Sequence, residues 1–373
     1  MRQELADWTA QNKAAFRRRL LGWYSRHRRD LPWRKTRDPY AIWVSEVMLQ
    51  QTQVATAVAY FQRFLQRFPD PTALAAAPLE EVLRYWEGLG YYRRAAQLWE
   101  ASRKIVGQHG GRIPDRFEEL IVLPGVGRYT AGAILSLAFD KPAPILEANT
   151  ERLYLRLLGW QVPAGTVKQH LWEFAESLLP RRNIGQFHQA VMELGSLVCR
   201  KKPECSLCPV RTMCRAFALG LTNSIPRRTN PPQYVAITDV AVALLPPEDE
   251  RLLLGRYAGG ERWAGLWDFP RLAWCQEHQQ PAPSAEQVCQ RLSQRIGLRI
   301  VNGVHVTSVR HSVTRYRILL HFYVARTATA PRSLAPWQGT DQVRWVEQTE
   351  WERLPMPAWS RRLCRALERH RAG

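Results

Sequence analysis

The sequence predicts a multidomain protein, an all-α first half followed by a mixed α and β second domain. Three observations carry this. Apolar residues recur at helical spacing from about Asn12 to Leu221. A stretch from Asn223 to Gln233, holding Pro226, Arg227, Arg228, Pro231 and Pro232, then has no periodic apolar pattern and reads as a linker. Beyond it the periodicity changes to that of strands. The chain's 373 residues suffice for two domains with cores of their own, and 46% hydrophobic content makes it a folding sequence. The expected boundaries are 1–222, a linker at 223–233, and 234–373.

In the first half, Val44, Val47, Val54, Val58, Phe61 and Leu65 fall at helix-like spacings between Ile42 and Phe68, where Pro69 and Pro71 end the run. A second helical run, Leu79 to Trp86, leads into the loop Gly88-Leu89-Gly90-Tyr91-Tyr92. Leu123-Pro124-Gly125-Val126-Gly127-Arg128-Tyr129-Thr130-Ala131 lies between two helical patterns. Asp115 with Glu118 can cap the first, and Thr130 to Phe139 form the second. Gly125 and Gly127 permit a tight turn and close backbone approach. The amides that open the next helix can then face a phosphate, favoured by the helix dipole; such a contact positions a duplex and reads no sequence. In the second domain Val235 to Leu245, Leu252 to Gly255, Arg317 to Val324 and Val343 to Trp345 read as strands, and Ser284 to Ile296 as a helix. No fixed period supports a repeat architecture.

Fifty-three Lys and Arg against 33 Asp and Glu give a formal charge of +20, which favours a nucleic-acid partner over a merely solvated basic surface. No apolar run reaches the ~18 residues that span a bilayer, so no membrane partner is expected. Arg17, Arg18 and Arg19 are preceded by Glu4 and Asp7 and followed by no apolar core, unlike a secretory signal. A monomer in a bacterial cytoplasm, on the nucleoid when bound, is the expectation. Of seven cysteines, Cys199, Cys205, Cys208 and Cys214 form C-x5-C-x2-C-x5-C. Four soft thiolates in so short a loop suit a metal centre, and spacing alone leaves iron–sulfur and zinc as competitors.

The string from Leu123 to Ala131 resembles the helix-hairpin-helix of the endonuclease III superfamily of base-excision glycosylases. Trp43-Val44-Ser45-Glu46-Val47-Met48-Leu49-Gln50-Gln51-Thr52-Gln53-Val54 resembles one branch, the adenine DNA glycosylases (the MutY family). Gly88 to Tyr92 and Ala131-Gly132-Ala133-Ile134-Leu135-Ser136 support that branch. The resemblance is dense from about Leu31 to Cys214. Gly265-Leu266-Trp267-Asp268-Phe269-Pro270 extends it, resembling the Nudix-like domain with which these enzymes sense 8-oxoguanine. The implied fold is an all-α glycosylase domain with an iron–sulfur loop at 199–214, followed by an α+β Nudix-like domain.

The resemblance implies excision of adenine mispaired with 8-oxoguanine or guanine in double-stranded DNA. The reaction needs one protonated and one ionised carboxyl, the division of labour seen in glycoside hydrolysis. Glu46 lies in an otherwise apolar helical stretch, with Gln50 and Gln53 at i+4 and i+7. Composition alone favours a surface glutamate there. The family motif instead implies that Glu46 protonates the adenine and then activates water. Glu147 would stabilise the oxocarbenium-like intermediate, supported by Asn149. Tyr129 stands where lyase-active relatives carry a Schiff-base lysine, which implies base removal without strand cleavage. Gln50 would fill space near the vacated stack, Tyr91 would wedge beside the opposite base, and Glu193 would hold the adenine's exocyclic amine. Gly125 and Gly127 belong to the phosphate-binding turn, and the four cysteines would hold a [4Fe–4S] cluster.

Three departures stand out against that family, and one difference separates the second domain from Nudix hydrolases. Glu147-Ala148-Asn149 replaces the usual Asp-Gly-Asn, and an added methylene moves the carboxylate oxygens by ~1.5 Å, where misplacement of about 1 Å can cost ~10²-fold. The first cysteine gap has five residues where six are usual. The helix Gln290 to Gly297 lacks the glutamates of Nudix hydrolases, so the second domain recognises and does not cut. Val313-Thr314-Arg315 stands where Phe-Ser-His is frequent, leaving Thr314 to bond the lesion edge and Arg315 to contact phosphate. Glu147, Ala148 and the altered turn keep a lesion-binding protein with weak turnover in play, and a glycosylase of shifted base specificity is the other alternative.

Overall fold

A computed structural model describes residue 5 and residues 7–227, 233–278, 281–331 and 334–372. Residues 228–232 of the expected linker lie outside the described residues. The chain resolves into two compact units. One comprises residues up to Ala76 and those from Gln97 to the linker; the other comprises Ala77–Ala96 and the C-terminal part. The expected boundary at 222 places 77–96 in the helical domain. Its side chains show why it groups with the C-terminal unit: Trp267 donates Nε1–H to Glu80 at 2.9 Å, and Arg361 pairs with Glu87 at 2.7 Å.

The helices, in chain order, are α1 (Ala10–His27), α2 (Pro39–Leu49), α3 (Val54–Arg67), α4 (Pro71–Ala76), α5 (Leu79–Trp86), α6 (Arg93–His109), α7 (Phe117–Ile121), α8 (Arg128–Leu137), α9 (Ala148–Leu158), α10 (Lys168–Ser177), α11 (Ile184–Leu197) and α12 (Arg215–Ala218). α1 starts where the Thr9 side chain accepts the Asn12 amide, and it buries Phe16, Leu20, Trp23 and Tyr24 along one face. α2 is different. Asp38 caps it, Pro39 opens it, and every residue from Tyr40 to Met48 is buried. A helix enclosed on all sides desolvates whatever polar group it carries. α2 packs on α8, α8 on α11, and α11 on α1 and α9.

The run from Ile42 to Phe68, expected to be one helix, is two. Gln50 ends α2 in an extended conformation and Gln51 takes a left-handed φ of 57°. Gln53 is therefore not on the Glu46 face of a continuous helix. The expected cap at Asp115 is also corrected. α7 begins after Arg116 without a side-chain cap, and Asp115 pairs with Lys141 at 2.5 Å. In the turn that follows, Gly125 needs its φ of 75°, whereas Gly127 is extended and caps α8.

The C-terminal unit holds β1 (Val235–Leu245), β2 (Leu252–Tyr257), β3 (Trp267–Asp268), β4 (Arg271–Cys275), β5 (Ile300–Val313), β6 (Tyr316–Thr327) and β7 (Thr340–Val346), with α13 (Ala285–Ile296), α14 (Gln348–Trp351) and α15 (Ala358–Ala372). One sheet has the order β4-β1-β6-β5, with β1 and β6 parallel; the other is β3-β2-β7. Alternation sorts the first sheet's side chains onto two faces. Val240, Val242, Leu244, Tyr323 and Ala325 pack with Val288 and Leu292 of α13, while Ala241, Ala243, Ile318, Leu320 and Phe322 pack with Leu363 and Leu367 of α15. The architecture is the expected all-α domain followed by an α+β domain.

Candidate active site

An open pocket of about 550 Å³ lies within the helical unit. Four elements deliver its chemistry. The last turn of α2 brings Glu46, α8 brings Tyr129, the start of α9 brings Glu147 and Asn149, and α11 brings Glu193. Gln50 lines it too. Tyr91, Gly125, Gly127, Thr314 and the four cysteines do not.

Glu46 is 5% exposed, and its Oε2 accepts the Tyr129 hydroxyl at 2.6 Å. Burial raises its pKa to about 7; the Tyr129 bond and the Arg34 charge act against that rise, and Glu147 adds to it. The carboxyl thus carries a proton over a useful fraction of the neutral range. Tyr129 is itself held protonated, far above the ordinary phenol range, by burial and by Glu46.

Glu147 is the N-cap of α9. Its Oε2 accepts the Asn149 amide at 2.8 Å and the Asn149 side chain at 3.1 Å, and its Oε1 accepts the Thr150 amide at 3.0 Å. The Thr150 hydroxyl receives the Glu147 N–H at 2.8 Å and completes a capping box. Burial pushes this carboxyl above its ordinary pKa, while the two backbone amides and Arg152 pull it down. The longer glutamate side chain thereby still finds a fixed seat at a helix N-terminus, where the dipole favours its charge. Asn149 Oδ1 accepts Arg152 Nη2 at 2.9 Å, and Arg152 also donates to the carbonyls of Gly195 and Cys199, both at 2.8 Å.

Glu193 is fully buried, and Arg29 and Arg34 both pair with it, at 2.6 and 2.8 Å. Although burial opposes ionisation, the two guanidiniums and the Arg29 amide bring its pKa down to about 2. Both oxygens are occupied. Sequence reasoning missed Arg29 and Arg34, which entered it only as part of the bulk charge. The available signal was local: both flank the apolar Leu31-Pro32-Trp33, and Leu31 and Trp33 line the same pocket.

The four cysteines line a second, smaller pocket with Leu153, Val198 and Val210. All are free thiols, and Arg156 Nη1 donates to Cys199 Sγ at 3.3 Å. Burial pushes Cys208 up to about 12 and Cys214 up to about 11, a penalty that cationic metal would offset. Among the described residues, no three His, Cys, Asp or Glu side chains form a group that could hold a single metal ion. In the C-terminal unit, Thr314 and Arg315 form the exposed two-residue turn between β5 and β6; Thr314 has φ 50° and donates its hydroxyl to the Val313 carbonyl at 2.8 Å. Tyr91, also exposed, sits in its loop at φ 49°.

The HhH-GPD superfamily of base excision DNA repair proteins matches residues 44–177, and the NUDIX domain matches residues 241–366. The adenine DNA glycosylase of Mus musculus is 35% identical to this chain, over 99% of it and 80% of the mouse protein. The chain belongs to the adenine DNA glycosylase family. As a member of that family it is a DNA N-glycosylase of base-excision repair. The Homo sapiens adenine DNA glycosylase is 32% identical, over 96% of this chain and 75% of the human protein. Among solved structures, that of a thermostable thymine-DNA glycosylase matches with a TM-score of 0.52 at 30% identity, covering 57% of this chain and 99% of that one.

Proposed function

We propose that this glycosylase hydrolyses the N-glycosidic bond of adenine mispaired with 8-oxoguanine or guanine in double-stranded DNA, with no lyase step. The observation that carries the reading is Glu46: a buried carboxyl, protonated up to about pH 7, sharing one pocket with Glu147. Flipping brings the nucleotide into the pocket. Glu46 gives its proton to the base. The C1′–N9 bond then breaks with its electron pair leaving on adenine, and positive charge develops on the sugar. The Glu147 carboxylate, seated by the α9 amides, stabilises that charge. Glu46, now ionised, takes a proton from the water that adds to C1′ and is restored.

Tyr129 holds Glu46 and offers no amine, so no Schiff base can form at this position. Glu193 can accept from the adenine amine only by exchanging a bond to Arg29 or Arg34. Cys199, Cys205, Cys208 and Cys214 would hold a [4Fe–4S] cluster, with Arg156 beside Cys199 to favour thiolate. When bound, the cluster would tie down the loop bearing Arg200, Lys201, Lys202, Arg211 and Arg215. Thr314, at the tip of its hairpin, would meet the 8-oxoguanine edge.

Single-turnover assays on duplexes with A opposite 8-oxoguanine, G, C and T test the reading. Adenine release confined to the first two, with no borohydride-trapped protein–DNA adduct, is expected. Tight binding without release would establish the lesion-binding alternative, and release from all four duplexes would establish shifted specificity.

A further inference from the structure

The segment that carries Glu147 enters from Ala143 and has no regular structure before α9 begins at Ala148. Its path is set by what it touches. Three contacts do this, from two helices. The ring of His188, buried on α11, places Nε2 2.9 Å from the Ala143 carbonyl oxygen. Gly132 of α8 lies so near the next residue that a Cβ there would overlap the Pro144 carbonyl oxygen. Gly195 of α11 lies against Asn149, where a Cβ would be 3.0 Å from the Asn149 Cβ.

We propose that His188 is a positioning residue for the reaction, donating Nε2–H to the Ala143 carbonyl and, with Gly132 and Gly195 as the flanking walls, fixing where Glu147 sits relative to Glu46. This rests on the reading of Glu147 as the anion that shelters the cationic sugar. No other use of His188 competes with it. The ring does not line the active-site pocket, and its Nδ1 has no hydrogen-bond partner among the described residues. An unpaired polar atom in a core is costly, and the bond at Nε2 is the polar contact that the buried ring makes. Burial lowers the imidazole to about 4; it is neutral at working pH, and its single proton belongs on Nε2, facing a carbonyl that can only accept. Reaction geometry is sensitive at this scale, because a displacement of about 1 Å can cost ~10²-fold in rate.

The test uses the full-length protein with His188→Leu, which removes the donor, and His188→Gln, which restores one. Gly132→Ala acts on the same segment from α8 and keeps the proposal open to refutation should His188→Leu not fold. Adenine release in a single turnover, affinity for a duplex carrying a non-cleavable adenosine analogue, and the pH dependence of release are measured. The His188→Leu and Gly132→Ala proteins should release adenine about 10- to 100-fold more slowly with affinity changed by less than about threefold. The alkaline limb should also move to lower pH. Glu46 is faced by Tyr129, Arg34 and Glu147, and only Glu147 recedes, taking with it a charge that raises the Glu46 pKa. His188→Gln should recover most of the rate. Parental rates in both His188→Leu and Gly132→Ala overturn the proposal. So does slow release with an unmoved alkaline limb and no recovery by glutamine, which is what lost packing alone would give. Glu147→Gln separates this inference from the reading beneath it: if that variant is inactive while the other two are unaffected, only the inference fails. If Glu147→Gln is as active as the parent, the reading itself fails.

Discussion

A carboxylic acid in water gives up its proton near pH 4.5 and is useless as a neutral-pH donor. Glu46 is altered by burial first, with the Glu147 charge adding to the effect. The same physics sets a stability cost. The folded state holds this proton up to about pH 7, whereas the unfolded chain loses it near its ordinary value of 4.5. The contribution of Glu46 to stability is therefore full below about pH 4.5 and declines as pH rises through 7. Glu46→Gln removes the ionisable group, so its stability relative to the parent should increase between these limits by about 3 kcal/mol, on the scale of 1.36 kcal/mol per pKa unit. Denaturant unfolding of both proteins at acidic and alkaline pH checks this; an unchanged difference would contradict the assigned protonation. Of the site's residues, Glu46, Tyr129, Glu147, Asn149, Glu193 and Gln50 were legible in the sequence through motif resemblance, and the pocket brings all six together. Arg29 and Arg34 were not. Both pair with Glu193, 159 and 164 positions away, so their partner is invisible locally and only their place beside the apolar Leu31-Pro32-Trp33 marks them.

At the scale of elements, local signals succeeded where residue chemistry acts at short range. The helix Leu79–Trp86 and the strand Val235–Leu245 have the bounds their periodicity predicts, and Ser284 caps α13 with Gln287 in a capping box. Periodicity failed between Ile42 and Phe68, because the apolar spacing continues in register across Gln50–Gln53 while the backbone turns there. β5 was missed for the opposite reason. Its fourteen residues alternate weakly, and much of the strand is exposed. The β5–β6 hairpin it forms turns at Thr314, a β-branched residue held at φ 50° where a two-residue turn favours Asn or Gly. Thr314→Asn should accordingly stabilise the protein by about 1 kcal/mol, at the low end for relieved backbone strain. Thermal unfolding measures it. A lowered midpoint would show that the threonine is not strained.

At the scale of the whole chain, composition and family motifs anticipated the two kinds of domain and the basic charge that a DNA-acting enzyme needs. They did not anticipate that Ala77–Ala96 groups with the C-terminal unit, since the ties through Glu80 and Glu87 reach Trp267 and Arg361, far along the sequence. That Gln290, Arg291, Gln294 and Arg295 of α13 are not acidic was directly readable. Catalysis as proposed depends on a proton held at position 46. The most direct measurement is the pH dependence of single-turnover adenine release by the parent and by Glu46→Gln, alongside the affinity of each for the mispaired duplex. The parent rate should fall as pH rises through about 7, and Glu46→Gln should bind the duplex yet release no adenine at any pH. Release by Glu46→Gln at the parental rate, or a parent rate that does not decline on the alkaline side, would contradict it.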